Sequence, residues 1–368
     1  MTANAPYRAD MVGSLLRSPR LHQARDRHER KGISAAELTA IEDAEIKLLV
    51  ARQEAIGLTA ITDGEARRAW WHFDFLWGLT GVEKVTGGQG IQFAGVQTKA
   101  ESARVTGRID FSENHPHLAH FQRLKAMVGP GKTPKMTIPS PSMLHYRGGR
   151  AQVSQSVYPS MDAYFHDLGM AYNKAIKAFH AAGCRYLQLD DTSLAYFCDP
   201  AQRKMLADRG DEPTGLLRTY RDTLGLALKD RPKDMVITTH TCRGNFRSTF
   251  VASGGYEPVA DMVFNQINVD GYFMEWDDER SGGFEPLRLL PKGKRAVLGL
   301  VTTKVGTLER ADDIKRRIDA AAKFVPLEQL CLSPQCGFAS TEEGNTLAED
   351  DQWRKLELVV AIARDVWR

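Results

Sequence analysis

The sequence predicts an α/β protein, a single (β/α)8 TIM barrel over residues 1–368 with an insertion between strands two and three. Three observations lead to this fold. Short apolar runs alternate with helical patterns along most of the 368 residues, as in parallel sheets. Polar residues capable of chemistry follow those runs, where barrel enzymes carry their active sites. The rival fold, a doubly wound open sheet, lacks its GxGxxG signature after the first strand.

The first third of the chain supplies two strands and a long helix. Residues 8–14 predict a short strand, and residues 58–65 predict a second. Between them, Ser34 to Glu37 has the capping-box pattern, and the apolar spacing continues to Gly57, a natural C-cap. Residues 66–133 are irregular and rich in tryptophan, so we interpret them as an insertion, with a β-hairpin as one possibility.

Three strands and two helices follow. Apolar runs mark the third, fourth and fifth strands, and the fifth continues into a polar TTHTC sequence. Apolar residues at helical spacing mark the two helices between these strands. The predicted strands are 135–142, 185–193 and 235–237 with its extension, and the predicted helices are 160–182 and 213–228.

The last third supplies the remaining strands. Two runs compete for strand six, residues 261–268 and residues 271–276. Strands seven and eight are predicted at 296–303 and 329–334, with a helix beginning near Glu309 between them. A closing helix at 348–367 carries a clear apolar stripe.

Composition and charge favour a cytosolic protein that acts on small molecules. The formal charge is +3 with acidic and basic residues interleaved, which does not favour a nucleic-acid partner. The five cysteines are odd in number and irregularly spaced, which indicates a reducing compartment. No signal-peptide core and no run of 18 apolar residues is present, so no membrane partner is expected. The sequence leaves homo-oligomer formation open.

His240 and Cys242 are the first candidate metal ligands. They continue the fifth strand, and side chains at positions i and i+2 leave the same face of a strand. An imidazole and a thiolate at one point suit Zn²⁺, which prefers nitrogen and sulfur in a tetrahedral arrangement. A buried histidine beside a free cysteine is the structural alternative.

Barrel closure would bring further ligands to this pair. Cys336 follows strand eight, and Glu275 ends the aromatic run at 271–276. Three other carboxylates remain open as the fourth ligand: Asp270, Asp277 and Asp278. Two thiolates and a carboxylate give the zinc site a formal charge of about −1, which suits binding a substrate thiol as a nucleophilic thiolate. Cys184, Cys198 and Cys331 lie in apolar sequence typical of core thiols.

Several motifs together resemble the catalytic domain of cobalamin-independent methionine synthase, and more closely its short single-domain paralogues. They are MVGSLLR, ITDGEARR, LQLDDTSL, TTHTC, YFMEWDDERSGGFEPL and LSPQCGF. The likeness spans Met11 to Trp367. It implies a zinc-dependent (β/α)8 barrel that transfers a methyl group from 5-methyltetrahydrofolate to homocysteine.

The resemblance also implies site residues. His240, Cys242, Glu275 and Cys336 match the zinc ligands, and Ser14, Glu65 and Asp190 match the groups that hold the amino-acid part of the thiol substrate. Lys304 stands where the family has a histidine proposed to protonate the leaving folate nitrogen, and we place it with Asp190 in the catalytic set.

Chemistry and competing structural roles bear on these positions. An α-ammonium group needs anionic partners such as Glu65 and Asp190. The structural alternatives are an ion pair of Glu65 with a following arginine, a helix cap at Asp190 or Asp191, and surface charges at Lys304 and Arg280. Three tryptophans are candidates to stack on a pterin, although packing is the commoner role: Trp70, Trp71 and Trp77.

The sequence therefore predicts a zinc-dependent S-methyltransferase that forms methionine from homocysteine, with a methylated folate or a simpler methyl compound as donor. Two alternatives remain. One is a zinc-dependent transferase that adds a thiol of the coenzyme M type to an epoxide. The other is a non-catalytic folate- or thiol-binding protein.

Overall fold

The computed structural model describes residues 5–87 and 90–368. The first four residues of the N-terminal segment, which the sequence predicts to lack a signal peptide, lie outside this description. Among the described helices, none combines the length and apolarity needed to span a bilayer.

Six parallel strands form the central sheet, and each strand pairs with its neighbour in the chain. Nearly every residue in these strands is buried, as expected for a parallel sheet with both faces covered. The strands are Met136–Pro139, Tyr186–Asp191, Val236–Thr241, Gly271–Glu275, Arg295–Val301 and Leu330–Pro334. The predicted parallel α/β arrangement is confirmed for strands three to eight.

Two shorter parallel contacts lie at the edges of this sheet. Ala60–Ile61 pairs with Thr133–Pro134, directly before the first strand of the sheet. Ala9 makes an isolated parallel bridge to Leu332 in the last strand. Both contacts extend the sheet in the direction that an eight-stranded barrel requires.

The prediction of a strand at residues 8–14 is wrong beyond this bridge. After Ala9, the backbone carbonyls of the segment accept hydrogen bonds from side chains of neighbouring segments and not from the backbone of a neighbouring strand. Lys135 Nζ donates to the Met11 carbonyl at 2.5 Å, Gln188 Nε2 to that of Val12 at 2.9 Å, and Thr62 Oγ1 to that of Gly13 at 2.7 Å. The segment is extended and tightly held without being a ladder strand.

Helices connect the strands. The predicted capping box is present: Ser34 Oγ accepts from the Glu37 N–H, and Glu37 accepts from the Ser34 N–H. Gly57 ends that helix at φ 99°, a left-handed conformation that favours glycine. The α-helices are Pro19–Glu29, Ala35–Ile56, Phe73–Leu76, Pro116–Met127, Met161–Ala181, Ser193–Tyr196, Pro200–Asp208, Pro213–Ala227, Glu257–Asp261, Ala311–Ala321 and Glu349–Val366.

Shorter turns complete the connections. The 3-10 turns are Pro141–Leu144, Gly149–Gln152, Glu279–Ser281, Glu285–Leu289 and Leu327–Gln329. A π turn, Met262–Gln266, follows Glu257–Asp261. The candidate strand at 261–268 is therefore helical, and the competing run at 271–276 supplies strand six.

The predicted insertion contains the expected hairpin. Thr80–Thr86 pairs antiparallel with Glu101–Asp110, and the short pair Gln92–Phe93 and Val96–Gln97 lies between them. Its C-terminal part is different, because Pro116–Met127 is a helix that contacts Ala35–Ile56. The insertion thus ends before this helix, which belongs to the helical layer around the sheet.

Candidate metal centre

The ends of three strands deliver the predicted ligands to one point. His240 pairs with Phe273 and Asp190 in the sheet register, and Cys242 follows the same strand with its N–H bonded to the Asp191 carbonyl at 2.9 Å. Glu275 ends its own strand. Beyond the last strand, the Gln335 N–H still donates to the Val301 carbonyl at 2.8 Å, and Cys336 comes next.

The four side chains form one buried cluster. One ligand atom from each of His240, Cys242, Glu275 and Cys336 lies within 4.8 Å of the other three. The two sulfurs are 3.5 Å apart, close to the separation of about 3.7 Å between two thiolates bound tetrahedrally at about 2.3 Å from one zinc ion. The cluster therefore has a size and a donor set that fit zinc.

Unsatisfied atoms give the same indication. Both ring nitrogens of His240 and both carboxylate oxygens of Glu275 are buried and have no hydrogen-bond partner within the described part of the chain. Buried polar atoms in folded proteins are nearly always satisfied, so four such atoms at one point call for a missing partner. A metal cation that is coordinated by nitrogen, oxygen and sulfur ligands would provide this partner.

The electrostatics of the cluster favour a thiolate. The pKa of the Cys336 thiol is held well below its usual range, chiefly because of its hydrogen bond with Cys242 and also because of His240. The same contact raises the pKa of Cys242. Burial raises the pKa of Glu275, while nearby Lys304 opposes the shift.

Cations lie behind Glu275. Arg280 Nη2 is 3.5 Å from a Glu275 oxygen and 2.9 Å from Asp277. Lys304 Nζ is 3.6 Å from Asp277 and has no hydrogen-bond partner among the described residues. The exposed fractions of these two side chains are 8% and 10%, so interpreting Arg280 and Lys304 as surface charges is wrong.

The other carboxylates considered for the fourth ligand are engaged elsewhere. Asp270 forms a two-pronged ion pair with Arg231 at 2.6 and 2.8 Å, before the start of its strand. Asp278 caps the turn Glu279–Ser281. Because Asp277 pairs with Arg280, Glu275 is the carboxylate left for the cluster.

A pocket of about 590 Å³, including its open mouth, lies over the cluster. His240, Cys242 and Cys336 contribute to its wall. The three predicted substrate residues, Ser14, Glu65 and Asp190, line the same pocket, whereas Glu275 and Lys304 are not among its lining residues.

Glu65 is held in a strained conformation toward this pocket. Its φ is 56°, an uncommon value for a residue with a side chain. Thr137 Oγ1 donates to one carboxylate oxygen at 2.8 Å, and Arg68 lies 3.6 Å from the same oxygen. The second oxygen is buried and lacks a partner in the described residues, and burial raises the pKa of the carboxyl group. Glu65 therefore forms the ion pair with Arg68 through one carboxylate oxygen and keeps the other oxygen available to a ligand.

Asp190 and Asp191 have different roles: one lines the pocket, and the other caps a helix. Asp191 caps the following helix, because its Oδ1 accepts from Ser193 Oγ at 2.6 Å and from the Leu194 N–H at 3.2 Å. Asp190 faces the pocket and accepts from Gln188 at 2.7 Å. Burial raises its pKa to about 7, with His240 opposing.

Ser14 lies against the loop that follows Cys336. Its Oγ accepts from the Ala339 N–H at 3.3 Å, and its carbonyl accepts from the Phe338 N–H at 2.9 Å. Its own N–H makes no hydrogen bond within residues 5–87 and 90–368. Ser14 therefore retains a free donor beside the pocket.

Sequence reasoning missed several pocket residues on loops and short elements. His72, Arg147 and Tyr196 line the wall, and Phe93 of the insertion packs on Phe246 with ring centroids 5.3 Å apart. No periodic pattern marks such positions. Two of the tryptophans considered for stacking, at positions 70 and 71, line the pocket, while the one at position 77 packs elsewhere.

Comparisons with known proteins point in one direction. A family model described as the catalytic domain of cobalamin-independent synthase matches residues 108–364. The "uncharacterized protein YxjH" of Bacillus subtilis is 52% identical over 99% of this chain and 96% of its own length.

Two solved structures are similar over nearly their full lengths. A Listeria monocytogenes protein, described as a candidate vitamin-B12-independent methionine synthase, is 42% identical with a TM-score of 0.80 over 99% of each chain. A B12-independent methionine synthase from Shewanella sp. W3-18-1, solved with selenomethionine, is 19% identical with a TM-score of 0.72, covering 98% of this chain and 97% of that one. At that identity, the second likeness shows the fold alone.

Proposed function

This chain belongs to the cobalamin-independent methionine synthase family, and we propose that it is a zinc-dependent methyltransferase that converts homocysteine to methionine. The observation that carries the proposal is the buried cluster of His240, Cys242, Glu275 and Cys336 with its unsatisfied atoms. These four residues would hold the metal. Bound zinc would lower the pKa of the substrate thiol, so that its sulfur reacts as a thiolate at neutral pH.

The chain's own residues orient the amino-acid part of the substrate. Glu65 and Asp190 present carboxylates to the pocket, and we assign both to the α-ammonium group of homocysteine. The free N–H of Ser14 is assigned to its carboxylate. Aromatic side chains around the mouth limit the access of water to the reacting sulfur.

The same carboxylates favour an amino thiol over coenzyme M. Two acidic side chains attract an ammonium group and repel a sulfonate, since like charges within a few ångströms are unfavourable in a buried site. The epoxide alternative would place the sulfonate of coenzyme M close to Glu65 and Asp190. Homocysteine is the better electrostatic match.

For the second half of the reaction, we propose that Lys304 supplies the proton that the leaving group takes up. Its ammonium group is nearly buried, lies 3.6 Å from an Asp277 oxygen, lowers the pKa of Glu275, and makes no hydrogen bond within the described chain. Asp190, beside His240 in the sheet, completes the catalytic set. The methyl donor is 5-methyltetrahydrofolate or a simpler methyl compound.

We further infer that residues 1–368 form one domain, a closed (β/α)8 barrel. The parallel pair Ala60–Ile61 with Thr133–Pro134 and the bridge from Ala9 to Leu332 support closure, since they place a short strand and the extended N-terminal segment on the two open edges of the sheet. Five free cysteines support a cytosolic location.

Zinc content and metal-edge X-ray absorption test the proposal. We expect one equivalent of zinc with two sulfur neighbours, rising to three when homocysteine is added. Cys336→Ser should abolish both zinc binding and methionine formation. Cys331→Ser is the matched control, because Cys331 is fully buried in the strand before Cys336 but lies outside the cluster.

The result can go against the proposal in two ways. Full activity in Cys336→Ser would exclude the assigned ligand set. A zinc-loaded protein whose absorption spectrum is unchanged by homocysteine would exclude thiol ligation and favour a binding protein without turnover.

A further inference from the structure

The hydroxyl group of Tyr256 lies where two strands of the sheet separate. The strand that ends at Thr241 and the strand that ends at Glu275 stay paired up to Thr241 and Met274, whereas the second of them stays paired with its other neighbour up to Glu275. The Glu275 N–H donates to the Tyr256 hydroxyl at 2.9 Å. The same hydroxyl lies 3.2 Å from the Glu275 carbonyl and 3.4 Å from the Thr241 carbonyl, either of which can accept its proton. It therefore bridges the two strand ends.

This bridge joins the segments that carry three members of the buried cluster. His240 and Cys242 flank Thr241 in the chain, and Glu275 ends the other strand. The Tyr256 hydroxyl contacts the backbone of Glu275, and both carboxylate oxygens of that residue have no hydrogen-bond partner in the described chain. The bridge can therefore fix the position of Glu275 and leave its carboxylate free for a metal.

The Tyr256 ring is itself held by two neighbours. It is fully buried. The Trp276 ring packs edge-on against it with centroids 5.3 Å apart, and the Arg243 guanidinium lies 4.3 Å from its centroid, a distance typical of a cation–π contact. Trp276 follows Glu275 and Arg243 follows Cys242, so both contacts come from the segments that the hydroxyl bridges. Burial raises the pKa of Tyr256, so the hydroxyl keeps its proton at neutral pH.

We propose that Tyr256 is a positioning residue of the metal centre. By holding the two strand ends at a fixed separation, its hydroxyl keeps the Glu275 carboxylate within reach of the ion that His240 and Cys242 bind. Tetrahedral zinc requires its ligands at about 2.0–2.3 Å, and groups that orient metal ligands change metal affinity about 10–100-fold. This inference rests on the ligand set of the proposed function, but not on the reaction that the metal serves.

Tyr256→Phe tests this role, because the phenyl ring keeps the packing and only the hydroxyl is lost. We expect the variant to fold, which circular dichroism checks, and to bind zinc about tenfold or more weakly in competition with a chelator. Co²⁺ is the second probe, since its visible absorption depends on coordination geometry. The absorption bands of the Co²⁺-loaded variant should differ from those of the wild-type protein in position and intensity.

Tyr272→Phe is the matched control. Tyr272 is also fully buried and lies in the strand that ends at Glu275. Its hydroxyl likewise binds backbone, 3.1 Å from the carbonyls of Phe264 and Ile267, but outside the cluster. Without metal, both variants should unfold at a lower urea concentration than the wild-type protein. Tyr272→Phe should nevertheless keep the wild-type zinc affinity and Co²⁺ spectrum, which a purely structural role of Tyr256 would also predict for Tyr256→Phe.

A double-mutant cycle shows whether Tyr256 acts through Glu275. In Glu275→Gln the carboxylate is already absent, so removing the hydroxyl as well should weaken zinc binding by about twofold or less. The full loss of affinity in this background would show that the hydroxyl acts on the fold and not on Glu275.

That result would overturn the proposal, as would two others. They are a wild-type zinc affinity and Co²⁺ spectrum in Tyr256→Phe, and an equal loss of zinc affinity in Tyr256→Phe and Tyr272→Phe. Methionine formation is measured separately. A wild-type protein that never methylates homocysteine, but whose zinc affinity depends on the Tyr256 hydroxyl, would contradict the proposed function and leave the positioning role intact.

Discussion

Replacing Gly337 by alanine should force apart two segments that meet beside the metal cluster. A Cβ at this position would lie 1.9 Å from Ser14 Oγ and 3.1 Å from both the Cβ and the backbone N of Ser14. Ser14 cannot retreat freely, because its Oγ and carbonyl accept hydrogen bonds from Ala339 and Phe338. The loop that carries Cys336 must therefore shift.

The cost follows from overpacking and from the bonds at risk. Overpacking a dense region costs about 1–3 kcal/mol, and each hydrogen bond lost adds about 1 kcal/mol. We expect Gly337→Ala to lower the free energy of unfolding by about 2–3 kcal/mol, and to weaken zinc binding because Cys336 is the preceding residue. Urea unfolding of the metal-free protein and chelator competition measure the two effects separately.

A double-mutant cycle identifies the cause. In Ser14→Ala/Gly337→Ala the 1.9 Å contact is absent, so the double variant should be more stable than the sum of the single losses by about 1–2 kcal/mol. Gly225→Ala is the control, since no atom lies within 4 Å of its Cβ position and alanine favours a helix by about 1 kcal/mol. Additive losses in the cycle would refute the steric explanation.

Three further predictions concern charge. Glu65→Gln should keep zinc and reduce the affinity for homocysteine about tenfold or more. The affinity for 4-mercaptobutyrate, which lacks the amine, should not change. Calorimetry with both thiols checks this, and an equal loss of affinity for the two thiols would contradict the assignment. Lys304→Met should slow methyl transfer by about a hundredfold or more with zinc content retained; unchanged single-turnover rates would exclude Lys304 as the proton donor. Burial lowers the pKa of His115 from 6.5 to about 4. Between pH 6.5 and pH 4 the unfolded chain therefore binds more protons than the folded chain. The free energy of unfolding should fall by about 3 kcal/mol as the pH drops across this range. His115→Asn, which keeps a helix-capping side chain, should flatten that dependence in urea titrations at pH 7 and 4.5, and an unchanged slope would show that this imidazole is not the titrating group.

The sequence predicts the strands and the members of the buried cluster well where the information is local. Each apolar run of strands three to eight is bounded by polar residues and is buried on both faces. The spacing of His240 and Cys242 places two members of the cluster on one face of a strand, which needs no tertiary information. Glu275 and Cys336 depend only on strand ends meeting at one edge of a parallel sheet.

Other features depend on distant partners and were not predictable in this way. The extended segment at residues 8–14 fails as a strand because buried side chains such as Lys135 and Gln188 bind its carbonyls. The helix Pro116–Met127 begins with a proline, which favours a helix start, but histidines occupy its cap and two of its first five positions, where the usual capping residues are absent. Arg147 belongs to the pocket only through loop geometry fixed by Arg209.

The burial of Arg280 and Lys304 near Glu275 is explained by the charge of the cluster and not by any local sequence pattern. Two thiolates and a carboxylate around a divalent ion leave a formal charge of about −1 in a buried site, and a substrate thiolate would add another. Arg280 and Lys304 are nearly buried beside that carboxylate, although as single residues in the sequence they are typical of surface charges. Their burial is costly without an anionic partner. Asp277 partners both cations, and Arg280 and Lys304 also lower the pKa of Glu275 against the effect of burial, so they offset part of the negative charge of the cluster.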